Sequence, residues 1–363
     1  MISRTLIPAA VSVVIACAQQ PLSQQPLVLS NEQITVGIYP TGASIVSVTR
    51  QDDPEKLNPL WNPGPGRGHF LCLDGFGPPS KEEQAAGLRS HGEAVAQPFQ
   101  VLDSSSRELR MRATLPLLQE TVTRVYRVFP GEPVLWVETE VESHTGFDRP
   151  MSWGEHATIG WPFLEPGKTV VDLSAVRAQT RPYTARPGSL PRRLPPGQDF
   201  VWPNAPGVDG KAVDLRVAPL QFHSIDHTTQ LMDPSKPIGW ATAIHTDKRL
   251  MIGWVFRREE FPWLQNWENY PPDIKKAARG VEFSTQPYDV PRREAVDQGR
   301  LFGTPTFRWL PAKSKVSATF LMFWVRVPEK FLRVDDIHFE GNTLVVSDRT
   351  AQLSVSIPMS RRL

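Results

Sequence analysis

Three segments of the chain gather ionisable side chains among glycine, proline and tryptophan. The first runs from Gly68-His69-Phe70-Leu71-Cys72-Leu73-Asp74-Gly75 to Arg89-Ser90-His91-Gly92. The second is Ser152-Trp153-Gly154-Glu155-His156-Ala157-Thr158. The third runs from Trp263 through Trp267-Glu268-Asn269-Tyr270 to Arg279-Gly280-Val281-Glu282-Phe283-Ser284-Thr285-Gln286. Imidazoles and carboxylates in such settings are the groups of proton transfer. Histidine, with a pKa of ~6.5, gives and regains a proton near neutrality. A carboxylate becomes a useful base once partial burial raises its pKa.

Each residue also has a plainer role open to it. His91 can satisfy loop carbonyls, His156 can bond a neighbouring strand, and Glu282 can pair with Arg279. Trp267, with Trp263 and Tyr270, reads as a stacking platform for an apolar ligand face in a Pro-rich loop or as core packing. Asp74 and Arg89 are loop residues suited to hydroxyls or to surface ion pairs. Asp226, between His223 and His227, suits a loop hydrogen-bond network. A metal cluster there lacks a fourth ligand.

The bulk numbers narrow the choice. Lys plus Arg is 40 against 38 for Asp plus Glu, a balance that argues against a nucleic-acid partner. There is no nucleotide-type Gly-rich loop, HExxH, CxxC or GxSxG, which lowers the case for kinases, zinc proteases and serine hydrolases. Hydrolysis by scattered carboxylates, or polysaccharide lysis, stays open as a less favoured class.

The elements that must position these residues are strands. Leu135, Val137, Thr139 and Val141 alternate with Trp136, Glu138, Glu140 and Glu142, the pattern of a half-buried strand. Val316 to Val327 is apolar on both faces and should be a central strand covered on both sides. The 36 prolines punctuate the chain, as expected of many strands joined by rigid loops. Helix signals are few, with Lys81 to Ala86 good for a turn or two. Residues 177–210 read as a long loop. A single large all-β sandwich over residues 31–363 accounts for the pattern.

The first residues differ from the rest. Arg4 followed by the short apolar run from Leu6 to Ile15 predicts a secretory signal, too short to span a bilayer at ~20 residues. Val14-Ile15-Ala16-Cys17 fits a bacterial lipobox ending at residue 17, with Cys17 lipidated. Cleavage after Ala18 is the rival reading. Residues 18–30 then form a tether, and the expected location is the periplasm or the outer membrane through a lipid anchor. Cys72, in an apolar run, reads as a buried small hydrophobe.

The ordered motifs carry a resemblance. A His91-Gly92 turn, then His156 on a mid-chain strand, then Gly280-Val281-Glu282-Phe283-Ser284-Thr285-Gln286 late in the chain resemble the aldose 1-epimerase (galactose mutarotase-like) family. Gly42-Ala43-Ser44-Ile45-Val46-Ser47-Val48 resembles that family's first hairpin. The resemblance implies a β-supersandwich with a cleft for a small-molecule sugar and no cofactor or metal. It implies an isomerase, in which a base removes the anomeric hydroxyl proton while an acid protonates the ring oxygen. By resemblance His156 is the acid, His91 binds near the ring oxygen and Glu282 is the base. Arg89, Asp74, Asp226, Trp267 and Gln286 are then candidate sugar contacts. Two departures stand out. The family pattern puts its glutamate at the position of Ser284, roughly 7 Å along a strand from Glu282. Glu155 replaces the asparagine that usually precedes the histidine. A non-catalytic sugar-binding protein is therefore the alternative.

Overall fold

The structure, a computed structural model, describes residues 25–64, 67–183 and 188–363. Cys17 and the expected signal lie outside the described residues. The expected tether overruns the fold, because Leu27–Ser30 already forms a strand paired with Ile34–Tyr39.

Among the described residues the chain builds a ten-stranded and an eight-stranded antiparallel sheet, with smaller sheets around them. The two helices are Lys81–Ala85, closed at its start by a Ser80/Glu83 capping box, and Arg292–Gln298. The all-β expectation is met.

Five strands carry the candidate residues: β1 (His69–Leu73), β2 (Trp153–Gly160), β3 (Ser224–Met232), β4 (Trp263–Tyr270) and β5 (Ala278–Ser284). They lie side by side in the ten-stranded sheet in the order β1-β2-β5-β4-β3. Alternation along each strand divides its side chains between two faces. Leu71 and Leu73, Ala157 and Ile159, and Val281 and Phe283 enter the main core between the large sheets. Phe70 and Cys72, His156, and Glu282 are left for the opposite face.

The strand expected to be covered twice is Lys315–Arg326, in the middle of the eight-stranded sheet. Phe320, Met322 and Trp324 face the main core. Leu321, Phe323 and Val325 enter a second cluster with Ile337, Leu344, Val346 and Ile357. These last residues belong to a three-stranded sheet (Asp336–Glu340, Thr343–Asp348, Leu353–Pro358) that forms a third layer. Burying each such side chain contributes about 1.5–3 kcal/mol. The third layer also explains why Trp136, on the expected outer face of Val134–Ser143, is buried.

Two local expectations change. Trp263, Trp267 and Tyr270 are on strand β4, not in a loop. The stretch read as a loop from residue 177 begins inside a sheet strand, Ala175–Thr180, and holds the short strands Asp199–Phe200, which pairs on its outer side, and Asn204–Pro206.

Candidate acid–base site

Strand register brings the candidate acid and base together. Phe70 pairs with His156 across β1 and β2. Between β2 and β5 the pairs Glu155–Phe283 and Thr158–Gly280 set His156 directly opposite Glu282. His156 Nε2 stands 3.3 Å from Glu282 Oε1. On its other side the imidazole is fixed by a 2.8 Å hydrogen bond between Nδ1 and Thr158 Oγ1. Phe70 stacks on the ring with centroids 4.3 Å apart, and Trp267 approaches edge-on at 6.2 Å.

Two glycines make room for this arrangement. A Cβ on Gly280 would stand 2.0 Å from Glu282 Oε1, and one on Gly154 would strike the Phe76 ring at 1.6 Å. A third fixes His91. Gly92, at φ +82°, lies so close to Leu73 that a Cβ would meet its carbonyl oxygen at 1.8 Å. That contact draws the His91 turn under β1. The His91 ring lies edge-on to His156 at 5.1 Å, with Nδ1 3.7 Å from Cys72 Sγ.

Burial controls the charges. Glu282 is 2% exposed, and desolvation, opposed only by Arg181, pushes its carboxyl well above the usual range. Its Oε1 has no hydrogen-bond partner, the nearby imidazole lacking the alignment for one. Desolvation, then His91, holds His156 well below the usual imidazole range. Burial, then Arg67, takes His91 down to about 4. Both shifts favour the uncharged forms, a protonated Glu282 carboxyl beside a neutral His156 imidazole. This inverts the resting roles that the family resemblance implied.

His91, His156, Glu282, Trp267 and Asp226 all line one cavity of about 470 Å³, within the size range of small-molecule sites. Among them, Asp226 is committed elsewhere. Its Oδ2 accepts from Arg193 Nε at 2.7 Å and its Oδ1 from the backbone of Arg193 and Leu194 at 3.0 and 3.2 Å. Asp74 is outside the cavity lining. It is buried in ion pairs with Arg149 and, at 3.2 Å, Arg292, and accepts from the Ser152 backbone at 2.9 Å. Arg89 is exposed and also outside the lining. Gln286 is buried and donates to the carbonyls of Tyr288 and Val290, holding the turn after β5. The plainer role open to Glu282, a pair with Arg279, is not taken up, since Arg279 is bound to Asn266 at 3.0 Å and Glu268 at 3.3 Å.

Sequence reasoning missed Trp61, Phe76, Arg181 and Asp289 as lining residues and gave His227 no cavity role. Trp61 meets Trp267 edge-on at 6.1 Å. Residues 224–232 form a strand rather than a loop, and its register with β4 sets His227 opposite Trp267.

No protein-family model matches the chain, and no curated protein matches it. Solved structures do. The galactose mutarotase related enzyme from Lactobacillus acidophilus is 14% identical with a TM-score of 0.58, over 83% of this chain and 97% of that one. The fold is galactose mutarotase-like. A galactose mutarotase-like protein from Lactobacillus casei gives 15% identity and a TM-score of 0.57, over 83% of this chain and 100% of that one. An aldose epimerase homologue from C. elegans gives 10% and 0.57, over 84% of this chain and 99% of that one. The galactose mutarotase-like fold is thus spanned almost whole, although identities this low carry no assignment of chemistry.

Proposed function

We propose that the chain interconverts the anomers of an aldose in the cavity, with His156 and Glu282 as the acid–base pair. The supporting observation is the 3.3 Å approach of His156 Nε2 to Glu282 Oε1, which has no hydrogen-bond partner, at the cavity wall. His156 takes the proton from the anomeric hydroxyl as the Glu282 carboxyl gives its proton to the ring oxygen. The bond from C1 to the ring oxygen breaks and an open-chain aldehyde forms. Rotation about C1–C2 presents the other carbonyl face, and the same transfers run backwards to close the ring. No net proton is gained or lost. A neutral pair suits such exchange, because neither partner must carry an isolated charge in a desolvated site. Trp267 and Phe70 supply apolar surface for the sugar ring.

Polarimetry on freshly dissolved α-aldoses tests this. The protein should accelerate the approach to the equilibrium rotation, and Glu282→Gln should remove most of that acceleration. Equal rates with and without protein across a panel of aldoses would sink the proposal.

One observation favours a second reading, a sugar-binding protein without catalysis. Ser284 stands where the resemblance puts the glutamate, and its hydroxyl is committed to the Gln286 carbonyl at 2.6 Å. That reading expects sugar-dependent thermal stabilisation with no change in mutarotation rate.

A further inference from the structure

We propose that His227 and Asp289 form a second polar subsite of this cavity, built to hold a vicinal diol of the sugar ring away from the acid–base pair. The proposal rests on the carbohydrate reading and deepens it, by stating which part of a sugar the far wall recognises.

His227 Nδ1 and Asp289 Oδ1 are 3.6 Å apart, beyond a direct hydrogen bond. Both atoms are buried, and neither has a hydrogen-bond partner. Both residues line the cavity that holds His156 and Glu282. Among the cavity-lining carboxylates and imidazoles, they share this orphaned state with Glu282 Oε1. A buried polar atom left unmatched costs about 1–3 kcal/mol, a cost that a ligand hydroxyl bound at either atom would recover.

The two residues are held firmly. The other Asp289 oxygen, Oδ2, is bound by Arg181. Gly77 lies against the Asp289 backbone, where a Cβ would meet the carbonyl oxygen at 2.3 Å. His227 is set by its strand pairing with Trp267. Burial, then Arg181, keeps its imidazole well below the usual range, so it presents a neutral ring.

Their chemistry selects the occupant. Asp289 Oδ1 only accepts, so its partner must donate. Nδ1 of a neutral imidazole donates or accepts according to tautomer. Two neighbouring ring hydroxyls meet both demands, one donating to Asp289 and the other exchanging a hydrogen bond with His227. A carboxylate or phosphate has no proton to give Asp289 and would face its charge. The wall therefore favours neutral hydroxyls over sugar acids or phosphates at that position.

The test measures dissociation constants by calorimetry on the full chain. The probes are galactose, glucose, mannose and xylose, then the available monodeoxy forms of the tightest binder. Wild-type protein should lose about 10- to 100-fold in affinity, as expected for a hydrogen bond to a charged group, when one of two adjacent hydroxyls is removed. Asp289→Asn and, separately, His227→Phe should lose a similar factor for the parent sugar. They should bind the matching deoxy sugar no worse than wild type does. Indifference of wild type to every single deoxygenation overturns the subsite without relying on any variant. Parallel losses for parent and deoxy sugars in folded variants overturn it too. If wild type binds none of the sugars, the carbohydrate reading falls along with the subsite. Binding or turnover with no dependence on residues 227 and 289 overturns the subsite alone.

Discussion

Strand β2 contributes to two histidine–glutamate pairs, one on each face, whose carboxyls shift in opposite directions. Glu155 and His156 are neighbours, so their side chains point apart. On the core side, Glu155 Oε2 is 3.1 Å from His69 Nε2. On the cavity side, Glu282 Oε1 is 3.3 Å from His156 Nε2. Glu155 is 1% exposed and Glu282 2%, so burial does not separate them. The difference is a cation. Burial pushes the Glu155 carboxyl up, but Arg124, with Nη2 3.1 Å away, and the hydrogen bond from His69 outweigh it and hold Glu155 below the usual range. Trp254 donates to His69 Nδ1 at 3.2 Å, which leaves the His69 proton on the nitrogen facing Glu155. Among the described residues no ion pair joins Glu282 to a guanidinium, and burial, opposed only by Arg181 at longer range, raises its carboxyl. Burial alone makes a carboxyl neutral, and burial with a matched cation makes it a structural charge.

The comparison can be broken most severely at the cavity pair. His156→Ala should cut the mutarotation rate about 10²- to 10⁴-fold while leaving the urea midpoint close to wild type. A large loss of stability with an unchanged rate would mean that this pair, like its core counterpart, is structural.

The core pair should respond the other way. Arg124→Met strands a buried charge at Glu155 and should cost about 3–5 kcal/mol in urea unfolding. Adding Glu155→Gln should recover part of it. A cost below about 1 kcal/mol would show that the guanidinium is not what keeps Glu155 ionised.

Dependence on pH sharpens the contrast, because the two glutamates have opposite signs. The folded pKa of Glu282 lies above its unfolded value of ~4.3. The folded state then holds a proton that the unfolded state releases. Its contribution to stability is therefore fully present below that unfolded value and is lost as pH rises through the folded pKa, at up to about 1.4 kcal/mol per unit. Glu155 has a depressed folded pKa, so its contribution is present above the unfolded value and lost as pH falls through the folded one. Urea unfolding from about pH 2 to pH 8 should show Glu282→Gln flattening the decline above about pH 4.3 and Glu155→Gln flattening the decline below it. Matching slopes for the two variants would erase the distinction.

The smallest effect is expected at Gly280→Ala. The added methyl, 2.0 Å from Glu282 Oε1, displaces the carboxyl rather than backbone. Stability should change by less than about 1 kcal/mol, and the rate should drop roughly tenfold, as a misplaced reacting group produces. An unchanged rate would show that the carboxyl tolerates the shift.

Much of the architecture was legible in the chain because alternation is local. The twofold apolar pattern of 316–327 announced a strand covered on both sides, and the structure supplies both covers. Which segment covered the outer side was not legible, since Ile337, Leu344 and Ile357 read as any short strands would. At the site, residue types pointed to His91, His156 and Glu282. Their meeting depends on the register of strands far apart in sequence, which local pattern does not encode. The same gap explains the misses. Nothing near Asp74 or Asp226 signals that Arg149 and Arg193 will take their oxygens. Nothing near His227 signals that Asp289 will stand beside it.

The third layer has a consequence for biosynthesis. A ribosome adds residues at about 5–20 per second from the N-terminus, so the eight-stranded sheet is complete in sequence before residues 336–358 exist. Until these emerge, Leu321, Phe323, Val325 and Trp240 have only solvent or a chaperone to cover them. The nascent chain therefore passes through an interval in which this apolar surface is bare, and the strands of residues 336–358 are the ones that end it.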